Sequence, residues 1–493
     1  MDSPLAAIKL LFPHVPSLSW TAAQHTLGIS PTASKWDLRS ELTVHVLRAI
    51  ASPKSGRPAP LSKVQRGTLK DPGVKGKTWI AKATISRPPK EDEGQGKGLR
   101  DVVFQAIEAM KKEGNVLHYE KPELKDLEVE WTGFRPGAKK DEGLPDVDEK
   151  DKYRLLMAEP CRSSEATVLY FHGGAYYLCD PATHRGLTSR LAKESSGRVC
   201  SVRYRLAPQT AFPGQLIDAL MAYLSLIYPP SNSLHEAVPA ERIVLAGDSA
   251  GANLAFALLQ LLLQLHRTAD GVPLVKFHGR DVHVPLPAGV SGNSGWFDVS
   301  RAMPSIVGNS KWDYLPPANH DDAVGRFPAD SIWPTKPPRG DIYCDLSMLD
   351  HPLVSPVLAE SWKASPPLWM NTGDEMLMDE DILVAARAAG QGVKVHFEHY
   401  EAMPHCFPML LPHLPASRRC LRSWGNWIRR VVEEPEGLKT NGVWIPARKG
   451  KEKEVDVMRL PAVEFGEARR LVGVIKERRI QGFKKGEGVK ATL

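Results

Sequence analysis

Apolar positions along the chain fall into two patterns. Near the N-terminus they recur at helical spacing: Leu38, Leu42, Val46, Leu47 and Ile50 share a face behind the polar Ser34 and Asp37, which predicts a capped helix. From about residue 115 the pattern changes to short β-rich runs at 167–171 (TVLYF), 199–204 (VCSVRY), 242–246 (RIVLA), 367–372 (PLWMNT) and 393–400 (VKVHFEHY). Stretches such as 213–228 and 250–266 carry helical character between them. Strands alternating with helices predict an α/β domain built on a mainly parallel sheet. The string 87–100 (RPPKEDEGQGKGLR) combines Pro, Gly and charge with almost no apolar residue, and reads as a solvated linker. The expected organisation is an N-terminal helical segment over 1–114, an α/β core over 115–435 and an extension over 436–493.

The run RIVLA leads into Gly247-Asp248-Ser249-Ala250-Gly251, a GxSxG pattern followed at once by a helical stretch. GxSxG arises by chance about 0.2 times in a chain of this length, so the pattern alone is modest evidence. The strand before it and the helix after it supply the required context: a sharp strand-to-helix turn that exposes a serine oxygen beside unpaired helix N–H groups. Ser249 is therefore the candidate nucleophile.

Upstream, the run 167–171 ends in His172-Gly173-Gly174-Ala175-Tyr176-Tyr177. Two glycines after a buried strand let backbone N–H groups converge on a ligand. Gly173 and Gly174, with the amide of Ala250, are the candidate oxyanion donors, and one such donor is typically worth about 3–4 kcal/mol in a transition state. His172 precedes this loop and reads as a brace for it.

HGGAYYLCD, then YRLAP at 204–208 with Phe212, Pro213 and Asp218 following, then GDSAG, together resemble the hormone-sensitive-lipase-like branch of the α/β-hydrolases, also called α/β-hydrolase fold-3. The resemblance spans roughly 115–430. It implies an α/β-hydrolase fold, hydrolysis of a small carboxylic ester by a Ser-His-acid triad, no cofactor, and a helical cap formed partly by the N-terminal segment. It also implies a preference for acyl chains of two to six carbons. Ala175 stands where the family commonly has a third glycine. A residue with a side chain avoids positive φ, so an ordinary φ is expected there.

Nine histidines follow Ser249. His405 lies in a loop directly after the run 393–400, where an imidazole can swing over the turn; His396 and His399 lie within the run and read as structural. The resemblance implies the same choice. The acid should end the preceding strand, where Asp374 and Glu375 are adjacent. Family spacing, counted back from Asp379, implies Glu375, with Asp374 as the alternative. Asp379 and Asp381 read as caps of a helix over 381–389. The same scaffold implies two other uses: hydrolysis of an amide or lactone, and non-catalytic ligand binding as in the plant gibberellin receptors. The latter lose the catalytic histidine, which this chain has.

Composition narrows the class further. With 42% hydrophobic and 25% charged residues over 493 positions the chain is globular. Its longest aliphatic run, 254–265, is interrupted by Gln260 and Gln264 and falls short of the about 20 residues of a spanning helix. Six cysteines without a CxxC pair signal neither a zinc site nor a disulfide framework. Together with a start, Met1 to Pro4, that lacks a basic n-region, they predict an intracellular, cytoplasmic setting. The net charge of +7 is localised: 436–493 holds 14 Lys and Arg against 8 Asp and Glu. The near-neutral remainder argues against nucleic-acid binding. The basic segment reads as a solvated extension dispensable for chemistry, with docking to membrane phosphates or an acidic partner as the alternative.

Overall fold

In the computed structural model, which describes residues 14–51, 59–94, 96–318 and 327–490, twelve strands are found. The start read above at 1–4, like Gln95 of the linker string, lies outside the described residues. The strands are β1 (Thr78–Ile85), β2 (Leu127–Phe134), β3 (Thr167–Phe171), β4 (Arg198–Val202), β5 (Ile243–Asp248), β6 (Leu274–Phe277), β7 (Arg280–His283), β8 (Gly289–Asn293), β9 (Leu368–Gly373), β10 (Val395–Tyr400), β11 (Asn441–Ile445) and β12 (Lys453–Val455). Ten of them form one sheet in the order β1-β2-β4-β3-β5-β8-β9-β10-β11-β12, while β6 and β7 pair as a separate hairpin. Pairings from β4 through β11 are parallel, and the outer pairs β1–β2, β2–β4 and β11–β12 are antiparallel.

The principal helices are α1 (Val15–Thr26), α2 (Leu38–Ala51), α3 (Pro181–Ser195), α4 (Gly214–Ile227), α5 (Ala250–Thr268), α6 (Met378–Gly390), α7 (Pro415–Glu433) and α8 (Phe465–Lys490). They cover both faces of the sheet. Because successive strand residues point to opposite faces, β3 serves both apolar layers: Leu169 and Phe171 pack with α4 and α5, Val168 and Tyr170 with α3 and α7. Such burial on both sides explains why TVLYF is buried throughout and does not alternate apolar with charged residues. No helix among the described residues is long and apolar enough to cross a membrane.

Three features depart from expectation. Strand β8, of sequence GVSGN, sits fully buried between β5 and β9; two glycines and a serine give it little β propensity. The N-terminal segment is not helical throughout, since 78–85 forms the first strand. The C-terminal segment is not a peripheral extension: β11 continues the parallel ladder of β10, β12 closes the edge, and Val463, Ala468 and Val472 join the main core.

Candidate active site

Strand β5 turns sharply into α5 at Ser249, whose backbone adopts φ 54° and ψ −123°. The turn demands close approach on both sides. A Cβ on Gly247 would lie 2.3 Å from the backbone of Gly251, and one on Gly251 only 2.0 Å from the carbonyl oxygen of Phe171. Holding a non-glycine residue at positive φ costs of order 1–3 kcal/mol, and the fold meets this cost at the position where the side chain is presented. Ser249 N–H donates to the carbonyl of Asn293, at the end of the unexpected strand β8.

His405 reaches Ser249 from the loop after β10. Its Nε2 lies 2.9 Å from Ser249 Oγ and its Nδ1 lies 2.9 Å from Glu375 Oε2. Glu375 is fully buried just past the end of β9, and its other oxygen accepts from Thr372 Oγ1 at 2.8 Å. Burial by itself pulls the His405 pKa down. The Glu375 carboxylate outweighs this, with further help from Asp313 and Asp248, so the net pKa lies above the ordinary 6.5.

Asp374, the alternative acid, points elsewhere: it accepts from His399 Nε2 at 2.7 Å and from the Ala402 N–H at 2.8 Å. His399 thus has a structural partner, as does His396, which pairs with Glu398 at 3.0 Å. Asp379 and Asp381 are not caps, because α6 begins at Met378 and encloses both. Asp379 accepts from Ser305 N–H and Asp381 from Gly295 N–H, each across the core. Burial, then the neighbouring Glu375, pushes the Asp381 carboxyl well above the usual range.

The oxyanion loop differs from expectation at one residue, Ala175. The Gly173 N–H, a candidate oxyanion donor, donates to Asp248 Oδ1 at 3.1 Å within the fold. Asp248 is a buried hub held to about pH 2 by His184 and Tyr170, whose attraction overcomes the upward effect of burial. Ala175 has φ 51°, not an ordinary value, and lies between Gly174 at 110° and Tyr176 at 65°. The N–H groups of Gly174, Ala175 and Ala250 donate to no acceptor among the described residues. Tyr176 pins the strained loop by donating to Asn253 Oδ1 at 2.7 Å and stacking on Tyr343 at 3.7 Å between centroids.

His172 braces the loop as expected. Its ring stacks on Tyr204 at 4.3 Å, and burial and the nearby His184 drive its pKa down to about 3, so it stays neutral. Asp313, unnoticed in the sequence, joins both sides of the site: it accepts from the His405 N–H at 3.3 Å and from the Met376 N–H at 2.8 Å. Arg48 of α2 in turn donates to the Asp313 carbonyl at 2.6 Å, and the Trp36 indole donates to the carbonyl of Ala402 at 2.6 Å. The N-terminal segment therefore clamps the histidine loop. A cavity of about 290 Å³ between α1 and α2 is lined in part by Trp36 and Arg48 and contains none of Ser249, Glu375 and His405. No group of three or more metal-ligating side chains occurs among the described residues.

Comparison with known proteins gives a consistent answer. The profile of the α/β hydrolase fold matches residues 168–302 and 314–409. An acetyl-hydrolase of Streptomyces hygroscopicus is 32% identical over 281 residues, covering 57% of this chain and 80% of that protein. An esterase of Acinetobacter venetianus is 28% identical over 262 residues, covering 52% and 73%. The solved structure of a mutant esterase superposes with a TM-score of 0.50 at 21% identity, covering 79% of this chain and 98% of the other.

Proposed function

This chain belongs to the α/β-hydrolase family, in the hormone-sensitive-lipase-like branch that its motifs resemble, and from that premise we propose that Ser249, His405 and Glu375 hydrolyse a small carboxylic ester. The observation that carries the reading is the position of His405, 2.9 Å from a serine on one side and 2.9 Å from a buried carboxylate on the other. A ligand receptor has no use for that alignment.

In this reading Ser249 Oγ attacks the ester carbonyl while His405 Nε2 takes its proton. Glu375 holds the imidazole by Nδ1–H and stabilises the imidazolium. The carbonyl oxygen becomes an oxyanion and is met by the N–H groups of Gly174, Ala175 and Ala250, which donate to no acceptor among the described residues. Collapse expels the alcohol, which takes the proton from His405 and leaves an acyl-Ser249. Water, deprotonated by the same imidazole, attacks the acyl carbon and releases the acid. No step draws on a cofactor.

The name of the Streptomyces relative favours a short acyl group. Hydrolysis of p-nitrophenyl esters of increasing chain length tests this: turnover is expected to be highest from two to six carbons, and faster cleavage of trioleoylglycerol than of tributyrin contradicts it. A matched p-nitroanilide measured beside p-nitrophenyl acetate separates ester from amide cleavage. Six free thiols fit a reducing, intracellular compartment. Lys476 of α8 pairs with the buried Asp350, and Arg469 with Glu360.

A further inference from the structure

Helix α8 lies beyond the span matched by the family profile, yet it delivers a buried cation into the fold. Arg479 is 8% exposed; its Nη1 lies 3.2 Å from Asp341 Oδ2 and its Nη2 donates to the Ser300 carbonyl at 3.0 Å. The second oxygen of Asp341 accepts from the Tyr343 N–H at 2.8 Å. Tyr343 presents its ring to Tyr176 with 4° between the planes, and Tyr176 ends the run of positive-φ residues that carries Gly174 and Ala175. A continuous set of contacts thus runs from the C-terminal helix to the backbone donors: Arg479, Asp341, Tyr343, Tyr176.

We propose that Arg479 is a positioning residue for the oxyanion loop, acting by fixing Asp341 and so holding Tyr343 flat against Tyr176. The guanidinium suits the task because its planar fork reaches the carboxylate and the Ser300 carbonyl at once, which an ammonium on a flexible stem does less well. A loop held at three positive-φ residues relaxes when one support is withdrawn. Donors displaced from the oxyanion lose transition-state stabilisation while ground-state binding is little affected. The kinetic side of the proposal rests on the esterase reading above; the structural side does not.

The test compares the full-length protein with Arg479→Leu, Arg479→Lys, Tyr343→Leu and the Arg479→Leu/Tyr343→Leu double variant. For p-nitrophenyl acetate, Arg479→Leu is expected to lower kcat about tenfold with KM changed less than about threefold, and Arg479→Lys to recover part of the loss. In the Tyr343→Leu background the Arg479→Leu effect should shrink to less than about threefold, because both changes break one path. Hydrogen exchange of the amides over 173–178 should accelerate in Arg479→Leu. Unchanged exchange there overturns the proposal, as does a kcat loss of equal size in both backgrounds. If the wild type hydrolyses no ester, the functional reading fails, and the exchange comparison still decides whether Arg479 orders the loop.

Discussion

Asp374 and Glu375 are consecutive in the chain and give their carboxylates to different histidines, Asp374 to His399 at 2.7 Å and Glu375 to His405 at 2.9 Å. Both lie in the bend between β9 and α6, and of the two only Glu375 contacts the imidazole that lies beside Ser249. Glu375 is fully buried and is also fixed by Thr372, whereas Asp374 ties the start of the histidine loop to the sheet through Ala402.

Glu375→Gln is expected to cost on the order of 10⁴ in kcat, the loss given for removal of the orienting acid in serine proteases. Asp374→Asn should cost less than about tenfold, because it weakens a brace and leaves the imidazole oriented. Side-by-side measurement of kcat for the two variants decides between them; a large loss in Asp374→Asn alone transfers the role by one residue.

The acid limb of kcat/KM reports the pKa of the free base. In the proposed mechanism His405 acts as base only when neutral, and its pKa is raised above 6.5 because Glu375, Asp313 and Asp248 together outweigh burial. Activity should therefore fall as pH drops through a midpoint above 6.5. Residual activity in Glu375→Gln, where the nearest carboxylate is neutralised, should show its midpoint at lower pH. A pH profile with the wild-type midpoint well below 6.5 contradicts this account of the histidine.

Removal of everything after Glu436 strips β11, β12 and α8 from the fold. Strand β10 then becomes an unpaired edge, and the surfaces under Val463, Ala468 and Val472 are uncovered. The truncated chain should be lost from the soluble fraction, or melt more than about 10 °C below the full chain. Soluble truncated protein with an unchanged melting temperature would restore the segment to the status of an appendage.

Much of the catalytic core could be read locally. A continuous apolar run, a GxSxG turn and a helix are set by neighbours in sequence, and so the elbow at Ser249 and strands β3, β5, β9 and β10 were legible. What escaped depends on distant partners. Asp313 meets His405 across 92 positions, and nothing in the local sequence WDYLP marks it. Strand β8 is a strand only because β5 and β9 enclose it. The local preference of alanine is for ordinary φ, and the positive φ of Ala175 belongs to a loop pinned by the distant Tyr176–Tyr343 stack. The sequence around Gly173 does not show that its N–H meets the Asp248 carboxylate, which comes from another strand. The charge count over 436–493 suggested a solvated tail, since composition does not reveal that Arg479 finds a buried carboxylate.

The central claim is that Ser249 is a nucleophile activated by His405, and covalent capture tests it most directly. The protein is incubated with diethyl p-nitrophenyl phosphate, and the adduct is located by mass spectrometry while p-nitrophenyl acetate turnover is followed. One diethylphosphoryl group is expected on Ser249, with loss of turnover in step with labelling. Ser249→Ala should take up no label, and His405→Ala should label far more slowly. Stoichiometric labelling at another residue, or turnover that persists within tenfold of wild type in Ser249→Ala, would contradict the account.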